Sequence, residues 1–485
     1  KKHKKDELKI WWRSDLYLYF YFRGLKLLNT DWVFTFITSN SWLDVDFGSV
    51  LQEFLIKYCP NIKIFDNQIQ RSFASASVNT IMCFFDKPVI DSKDIMTGKA
   101  QFVNFAKTYE ESIWTETMAE LDHQVINKKF ESKKIKTGEV VFTKRTTDEL
   151  RVIDIDTKDL WLDGSESVGN EWLEARKYIS SKRWWKFLNA PDIYLTILDK
   201  WSNLFISLWS ISESKRWLTS WASDFFYLPN KYFDLKDNWK YFDLIAKNSD
   251  LPKDLKIEKE FLKPVLISWN RVETIQIPEW FFDVRWLLMT WEEIIENTEV
   301  EKYIQWWESM WFHDRPSTWK TRKFRYAISK TYEPFEIMIP YFYTDRFFVS
   351  LWNNEIIANK ELFTIKVDKK EDVEKVIYSL NSSIFQFWLE SHSASNIPSL
   401  IKIRGYDIPS INQILNINFE KFRQKNQLLN RIIWDVFSEL WFDKTKDIRS
   451  QTPNPLPDRK ELDDIIFDEL GLTQDERNEV YRSLA

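Results

Sequence analysis

Residues 32–43 read WVFTFITSNSWL, and this stretch decides the fold class. The residues from Val33 to Thr38 are apolar or β-branched, which is typical of a buried strand in a parallel sheet. The strand runs into the polar residues Thr38, Ser39 and Asn40, and ligands of doubly wound sheets bind at this carboxyl end. We therefore predict an α/β fold with a candidate site where this strand ends.

The next fifty residues keep the α/β pattern. A helix is predicted from about Ser49 to Tyr58, followed by strands at Ile62–Asp66 and Val78–Phe85. The charged stretch from Ser92 to Thr147 is interpreted as a connection that contains a domain boundary. The first hundred residues are thus predicted to be the end of a doubly wound sheet.

The rest of the chain predicts two further regions. Short β-type runs, including Phe347–Leu351 and Phe363–Val367, favour an α+β region, and the apolar stretch Ile411–Phe442 favours a helix. A second helix is expected from Asp458 to Gly471, and Thr473 with Glu476 forms a capping box for a third. The predicted domains are 1–100, a connection at 101–150, an α+β domain at 151–410 and a helical segment at 411–485.

Composition places the chain among soluble globular proteins. It has 485 residues, of which 44% are hydrophobic and 29% charged, and its apolar runs are far shorter than the roughly 18 residues of a membrane span. Neither Cys59 nor Cys83 lies at zinc-ligand spacing, so we expect no metal and a reducing cytoplasm. The first residues show neither an initiator Met nor a signal peptide, and we expect a piece of a longer protein.

Basic side chains are concentrated in two places. A net charge of −5 argues against nucleic-acid binding, but distribution matters more than the sum. The clusters are Arg176, Lys177, Lys182, Arg183 and Lys186, and then Arg315, Lys320, Arg322, Lys323 and Arg325. Such clusters are more often solvated surface than binding sites, so they favour DNA binding only modestly.

Tryptophan and glycine are present in unusual numbers. The chain holds 26 Trp and 8 Gly, where its length predicts about 34 Gly. Several Trp lie in turn-like settings that favour glycine, such as Trp217, Trp221 and the pair Trp184-Trp185. One hypothesis is that UGA codons meaning glycine were translated as Trp; the alternative is an aromatic-rich protein whose tryptophans stack on bases or fill cores.

The first strand and the segments after it carry a family resemblance. Together with Phe47–Phe54, Ile64-Phe-Asp-Asn67, Arg71-Ser-Phe73 and Val78-Asn-Thr-Ile81, it resembles the end of the catalytic domain in adenine-N6 DNA methyltransferases. The resemblance implies that Phe73 packs against a flipped adenine beside Ser39 and Asn40. A core phenylalanine is the alternative for Phe73. The cofactor loop and the Asn-Pro-Pro-Tyr segment of the family do not occur here, so no catalytic residue is expected in this chain.

Three later segments resemble the specificity domain of single-chain restriction-modification and phage-defence methyltransferases. They are Lys186–Tyr194, Lys215–Tyr227 and Tyr303–Ser317, and the second has Trp217 and Trp221 where the family has glycines. Phe225, Phe226 and Tyr227 are expected in the core, and the closing segment Pro455–Thr473 is expected to be a packing element. The side chains that the resemblance implies for DNA contact are Lys186, Lys215, Arg216, Thr219, Ser220, Ser223, His313, Arg315, Arg322 and Arg325.

The resemblance implies a methyltransferase that uses S-adenosylmethionine and double-stranded DNA, for which this chain supplies most of the target recognition. A nuclease domain or other defence-system subunits are further partners that it admits. Two alternatives stay open: a DNA-binding specificity subunit without catalytic activity, and an unrelated α/β protein that shows no salt-dependent binding to duplex DNA.

Overall fold

A computed structural model describes the chain in two compact units. The described residues are 10, 12, 14–43, 47–67, 79–90, 95–112, 130–168, 175–178, 184–201, 205–206, 208–216, 223–266, 268–277, 285–288, 297–310, 335–352, 357–359, 361–392, 401–402, 414–415 and 426–485. The first unit comprises Lys1–Phe205 and Phe387–Asn396, and the second comprises Ile206–Gln386 and Ile397–Ala485. None of the described helices is long and apolar enough to cross a membrane.

The first unit is built on a sheet of seven strands. They are β1 Val33–Ser39, β2 Asn61–Asn67, β3 Thr80–Asp86, β4 Lys99–Phe105, β5 Glu131–Thr137, β6 Val140–Thr146 and β7 Leu150–Asp156, in the order β1-β3-β2-β4-β7-β6-β5. Only β2 and β4 pair in parallel; the other neighbours are antiparallel. Because β3 is antiparallel to both β1 and β2, the carboxyl ends of β1, β2 and β4 lie at the same edge of the sheet.

Helix α1 (Leu16–Leu27) covers one face of β1. Asp15 accepts a hydrogen bond from the N–H of Leu16 and caps the helix. The buried ring of Tyr21 packs on Phe34 and Phe36, and its hydroxyl lies 2.7 Å from Thr38 Oγ1. This buried hydrogen bond joins helix α1 to β1 one residue before the strand ends.

Further elements complete the first unit. Helix α2 spans Gly48–Tyr58, as predicted to within one residue. The others are helices Tyr109–Ser112, Thr157–Gly164, Trp185–Asn189 and Asp192–Trp201, and the paired strands Ser165–Val168 and Ala175–Tyr178. Two elements contain residues of both units: the strand Phe205–Ile206, and the helix Ser383–His392, in which Phe387–His392 belong to the first unit and the residues before them to the second.

Two predictions about this sheet need correction. The strand at residues 33–39 is antiparallel to its neighbour and ends the strand order, and Val33 and Ile37 on one face are 54% and 44% exposed. Residues 101–150, interpreted as a connection with some secondary structure, supply most of β4 and all of β5 and β6. The sequence ESKKIKT of β5 is difficult to recognise as a strand because five of the seven residues of this edge strand are exposed and polar.

The second unit contains several small sheets. One has strands Ser212–Arg216, Leu362–Val367, Ile337–Pro340 and Ser350–Leu351 in that order; another has Tyr227–Leu228, Arg285–Leu288, Leu262–Leu266 and Ile357–Ala358; a third has Phe233–Asp237, Tyr241–Ala246 and Lys256–Glu258. Phe342–Tyr343 pairs with Ile401–Lys402, and another strand lies at Ile414–Leu415. The helices are Ser223–Phe226, Glu299–Ser309, Val373–Leu380, Val436–Leu440, Pro457–Glu469 and Gln474–Leu484.

The C-terminal helices only partly match the prediction. Pro457–Glu469 ends before Gly471, which has φ 58°, and Thr473 with Glu476 forms the predicted capping box. The predicted helix at 411–442 is wrong in its described part, which holds the strand Ile414–Leu415, a short 3₁₀ turn and the helix Val436–Leu440. The α/β class with an α+β region and C-terminal helices is confirmed, and the large sheet is mixed.

Buried charged side chains hold the helix Pro457–Glu469 against other parts of the second unit. Asp463 is fully buried and accepts hydrogen bonds from the Ser383 N–H (2.7 Å), the Ser383 hydroxyl (2.6 Å) and Arg459 Nε (3.0 Å). Arg431 lies 2.6 Å from Glu439, with both side chains almost fully buried. The closing segment is therefore a packing element, as predicted.

Candidate functional site

The predicted base-pocket residues lie where β1 ends. Ser39 and Asn40 are both half-buried, and Ser39 Oγ hydrogen-bonds the hydroxyl of Ser41. The backbone N–H of Asn40 donates to the carbonyl of Asn79 at 3.1 Å. The end of β1 is thereby tied to the residue that precedes β3.

The register of the sheet aligns two pairs of residues at strand ends. Ser39 at the end of β1 pairs with Thr80, and Asn67 at the end of β2 pairs with Phe105 at the end of β4. The pairing of β2 with β3 stops at Phe65 and Met82, two residues before Asn67. Ser39 and Asn67 thus end two strands that run in the same direction and have β3 between them.

The segment 68–78 joins the two positions just described. It follows Asn67 at the end of β2 and precedes Asn79, the residue before β3. Phe73, the predicted base-stacking residue, belongs to this segment and lies outside the described residues. Both described residues that flank the segment lie at the edge that holds Ser39 and Asn40.

A buried carboxyl group lies beside this edge. Asp66 is 7% exposed and accepts a hydrogen bond from the Asn67 N–H at 2.8 Å. Burial raises the pKa of the Asp66 carboxyl, although hydrogen bonds from the Asn189 side chain and the Asn67 amide oppose the shift. Burial thus disfavours the ionised form of Asp66 at the candidate site.

Lys186 requires a correction. Its side chain was predicted to contact DNA, but it is 4% exposed, and its ammonium donates to both carboxylate oxygens of Asp163 at 2.7 and 2.6 Å. Asp163 is itself 3% exposed, so leaving this pair would strand a buried negative charge. We therefore remove Lys186 from the proposed DNA contacts.

The remaining predicted DNA contacts fall in the second unit. Lys215 and Arg216 end the strand Ser212–Arg216, which pairs with Leu362–Val367, and the exposed Ser223 begins the next helix. The others, namely Thr219, Ser220, His313, Arg315, Arg322 and Arg325, lie outside the described residues. The structure therefore places the two ends of the second motif and leaves its middle undescribed.

The apolar parts of the second and third motifs pack together. The rings of Phe225 and Tyr303 stack with centroids 5.5 Å apart, and the Tyr303 hydroxyl donates to the Phe225 carbonyl at 2.9 Å. Phe226, Tyr227 and Trp307 belong to the same buried cluster. The prediction that Phe225, Phe226 and Tyr227 are core residues is confirmed, and the two motifs that carry most of the predicted DNA contacts share this core.

The sequence prediction missed the polar residues that surround Asp66. Asn104 on β4 and Asn189 in the Lys186–Tyr194 segment lie next to it, and Asn104 Nδ2 is 3.3 Å from Asn189 Oδ1. Asn104 and Asn189 are 85 positions apart in the sequence, so only the fold brings them together. Within the described ranges, no group of three or more His, Cys, Asp or Glu residues could hold a metal ion.

Comparison with known proteins gives one family match. Residues 1–73 match the Eco57I restriction-modification methylase family. The matched residues include α1, β1, α2 and β2 and end at Phe73. No curated protein matches the chain.

Two solved structures are similar to the chain. One is the type IIG restriction endonuclease BpuSI, with 12% identity, a TM-score of 0.39 and coverage of 95% of this chain and 47% of that one. The other is the type IIL restriction-modification enzyme MmeI in complex with DNA, with 10% identity, a TM-score of 0.32 and coverage of 80% and 50%. The chain thus spans about half the length of these structures.

Proposed function

We propose that this chain is part of a site-specific DNA methyltransferase of the restriction-modification or phage-defence type, which methylates the N6 atom of a flipped adenine. S-adenosylmethionine is the methyl donor and double-stranded DNA the substrate. The observation that carries the proposal is the methylase-family match over residues 1–73. The first unit contributes the wall of the base pocket, and the second unit contributes most of the target recognition.

The geometry of the sheet edge supports the pocket. Ser39 and Asn40 lie beside Thr80 and Asn79, which follow the segment 68–78 that carries Phe73. A base taken out of the duplex must be held by stacking and by hydrogen bonds to its edge. Phe73 offers the ring, and Ser39 and Asn40 offer polar groups at the same edge.

An exposed apolar surface next to β1 also supports the proposal. Phe20 and Leu27 on α1 are 56% and 65% exposed, and Trp32 and Val33 at the start of β1 are 67% and 54% exposed. A group of large exposed apolar side chains is typical of an interaction surface. It is the surface that a cofactor-binding part of the same sheet would cover.

The described residues do not fit the cofactor themselves. Polar groups at the carboxyl edge are bonded to one another: Thr38 to Tyr21, Ser39 to Ser41, and Asp66 to Asn67 and Asn189. Nor does the sequence contain the Gly-containing loop or the Asn-Pro-Pro-Tyr segment. We therefore assign no step of the methyl transfer to residues of this chain.

Recognition of DNA rests on the second and third motifs. Lys215, Arg216 and Ser223, with Thr219 and Ser220, would bind phosphates, since Lys, Arg and hydroxyl groups hold the duplex in register. His313, Arg315, Arg322 and Arg325 would reach base edges, where Arg most often contacts guanine. Removing one phosphate contact should reduce the salt slope of binding by about 1.

Two measurements test the proposal. The first is N6-methyladenine in a plasmid recovered from cells that express the full-length gene, with Phe73→Ala as the variant expected to lower methylation. The second is duplex-DNA binding by this chain at several salt concentrations, by fluorescence anisotropy. Salt-dependent binding without methylation would replace the proposal by a specificity subunit, and absence of both would leave an unrelated α/β protein.

A further inference from the structure

The edge strand β5 has one covered face and one exposed face. Its covered face carries Ile135, which is 1% exposed and pairs with Phe142 of β6. Side chains alternate between the faces of a strand, so Ser132, Lys134 and Lys136 lie on the other face. All three residues are exposed. The exposed face of β5 thus offers one hydroxyl and two ammonium groups.

The basic residues on the covered face already have partners within the fold. Lys133 Nζ lies 3.1 Å from the Asp199 carboxylate of the helix Asp192–Trp201. Lys144 of β6 lies 3.0 Å from Asp192 of the same helix. These two ion pairs join the helix to the sheet, so the cations of the covered face serve the fold.

The lysines of the exposed face have uncharged neighbours in the register of the sheet. Lys134 pairs with Thr143 and Lys136 pairs with Val141, both on β6. The two lysines are two residues apart on one face, or roughly 7 Å. Two ammonium groups at this separation repel each other unless an anion lies near both. An anionic ligand would therefore be favoured on this face.

A carboxylate further along the same row is already engaged. Asp154 of β7 pairs with Thr143 and accepts hydrogen bonds from Gln101 Nε2 at 2.9 Å and from Arg145 Nη2 at 3.0 Å. The guanidinium of Arg145 balances the charge of this carboxylate. The two lysine charges of β5 therefore remain available to a ligand.

Basic residues outnumber acidic ones on this face of the whole sheet. Among the strand residues that the structure describes, the face carries Lys63, Lys99, Lys134, Lys136 and Arg145 against Asp86, Asp154 and Asp156. The chain as a whole has a net charge of −5. The face thus has the opposite sign to the chain, which favours a partner with dense negative charge.

We propose that the exposed face of β5 binds the phosphate backbone of duplex DNA, with Lys134 and Lys136 as phosphate contacts and Ser132 as a further donor. Lysine and serine side chains are common phosphate ligands, and such contacts hold a duplex without reading its sequence. The inference rests on the proposed function, in which duplex DNA is the substrate. It adds a sequence-independent anchor in the first unit to the recognition assigned to the second.

Protection of the sheet edge is the competing role for these lysines. Lysine on an edge strand discourages pairing with another chain, and that role needs no ligand. Only the phosphate contact predicts weaker DNA binding when the lysines lose their charge. Lys133 provides a matched control, because it lies on the same strand but its ammonium is paired with Asp199 on the covered face.

The salt dependence of duplex-DNA binding by the full chain tests the proposal, by fluorescence anisotropy of a labelled duplex. Each phosphate contact contributes about 0.9 to the slope of log Kd against log salt concentration, so Lys134→Gln with Lys136→Gln should lower the slope by about 1.8. At about 0.1 M salt this corresponds to roughly a sixtyfold rise in Kd, provided that binding at about 1 M salt is unchanged. Lys133→Gln should keep the wild-type slope.

Two further comparisons separate a phosphate contact from other effects of the substitutions. The rise in Kd should be the same on duplexes of unrelated sequence, because phosphates carry no sequence information. Lys134→Arg with Lys136→Arg keeps both charges and should therefore keep the wild-type slope.

The results that would overturn the inference differ from those that would overturn the proposed function. A wild-type slope in the double glutamine variant, or an equal loss in Lys133→Gln, would remove the phosphate contact and leave edge protection as the role of these lysines. A loss confined to one duplex sequence would also contradict it. Wild-type protein that shows no salt-dependent binding to duplex DNA, together with an unmethylated plasmid, would overturn the proposed function and this inference with it.

Discussion

The two units bury charged side chains in different ways. In the first unit, the Lys186 ammonium donates to both carboxylate oxygens of Asp163. In the second unit, Arg431, Glu439 and Arg459 belong to a network in which Asp463 also accepts from the backbone and hydroxyl of Ser383. The first arrangement centres on one cation and one carboxylate, whereas the second shares its carboxylates among several donors.

The largest effect is expected where the network loses its central acceptor. Asp463→Ala leaves Arg459 buried, with the Glu439 carboxylate 3.9 Å away, and removes the acceptor of two Ser383 groups. We expect the free energy of unfolding to fall by about 4 kcal/mol. Urea denaturation followed by circular dichroism measures the change.

Asp464→Ala is the matched control for this prediction. Asp464 is adjacent in sequence, but its side chain is 31% exposed and pairs with Lys460 and with Arg477 (3.0 Å). Each partly exposed pair of this kind contributes about 1 kcal/mol or less. If both substitutions lower the free energy of unfolding equally, the buried network contributes no more to stability than the partly exposed pairs. The comparison between the units would then fail.

The Lys186–Asp163 pair should respond differently when both partners are replaced. Lys186→Met alone strands the Asp163 carboxylate and should lower the free energy of unfolding by about 3 kcal/mol. Lys186→Met with Asp163→Leu should return to within about 1 kcal/mol of the wild type, since an apolar pair can replace a buried ion pair. The same urea titrations measure both variants.

The double replacement in the network sharpens this contrast. Arg459→Met with Asp463→Leu should not recover, because the backbone N–H and the hydroxyl of Ser383 lose their acceptor. Duplex-DNA binding by Lys186→Met with Asp163→Leu should keep its wild-type salt slope. A shallower slope would return Lys186 to the set of DNA contacts.

The sequence predicted local patterns well and long-range partners poorly. The strand at 33–39 and the helix Gly48–Tyr58 were found because their apolar residues follow the period of one element. Lys186 was misassigned because its partner lies 23 positions away and a basic cluster has the appearance of a solvated surface. Ser383 and Asp463 are 80 positions apart, so no local sequence motif could predict their contact.

The same limit explains the predicted helix at 411–442. Leu428, Leu429 and Ile433 are buried, and their spacing resembles that of a helix face. The chain there forms a short 3₁₀ turn at Asn426–Asn430 followed by extended residues. Burial in an irregular segment can mimic helical periodicity, because tertiary packing and not the backbone period selects the apolar positions.

A smaller effect, with a defined sign, is expected at Asp66 in the first unit. Because burial raises the folded-state pKa of this carboxyl, the folded protein keeps a proton that the unfolded chain releases just above the ordinary value of 3.8. The wild-type contribution to stability is present below that value and is lost as pH rises through the folded pKa. Asp66→Asn cannot titrate, so its stability relative to the wild type should increase from acid to neutral pH.

Urea denaturation of both proteins at several pH values measures this difference. The opposite slope, with the wild type gaining stability over the variant as pH rises, would mean that the carboxylate is held by a cation. Asp66 would then resemble the carboxylates of the second unit, and the contrast between the amide-lined sheet edge and the charged network would disappear.

The smallest effect concerns the unusual tryptophans. Trp441 follows the helix Val436–Leu440 with φ 59° and ψ 44°, the left-handed conformation in which glycine commonly ends helices. Its side chain is 69% exposed, so little packing is lost when it is removed. Trp441→Gly should therefore stabilise the second unit by about 1 kcal/mol, because a left-handed residue with a Cβ is strained by about that amount.

Trp434→Gly provides the contrast, because Trp434 is 54% exposed and is not among the described residues with positive φ. Glycine there only adds freedom to the unfolded chain, and we expect stability to stay the same or fall by about 0.5–1 kcal/mol. Stabilisation at 441 but not at 434 would show that the backbone selects glycine at 441, which agrees with the hypothesis that UGA codons were translated as Trp. Loss of stability at both positions would favour a chain whose tryptophans are native.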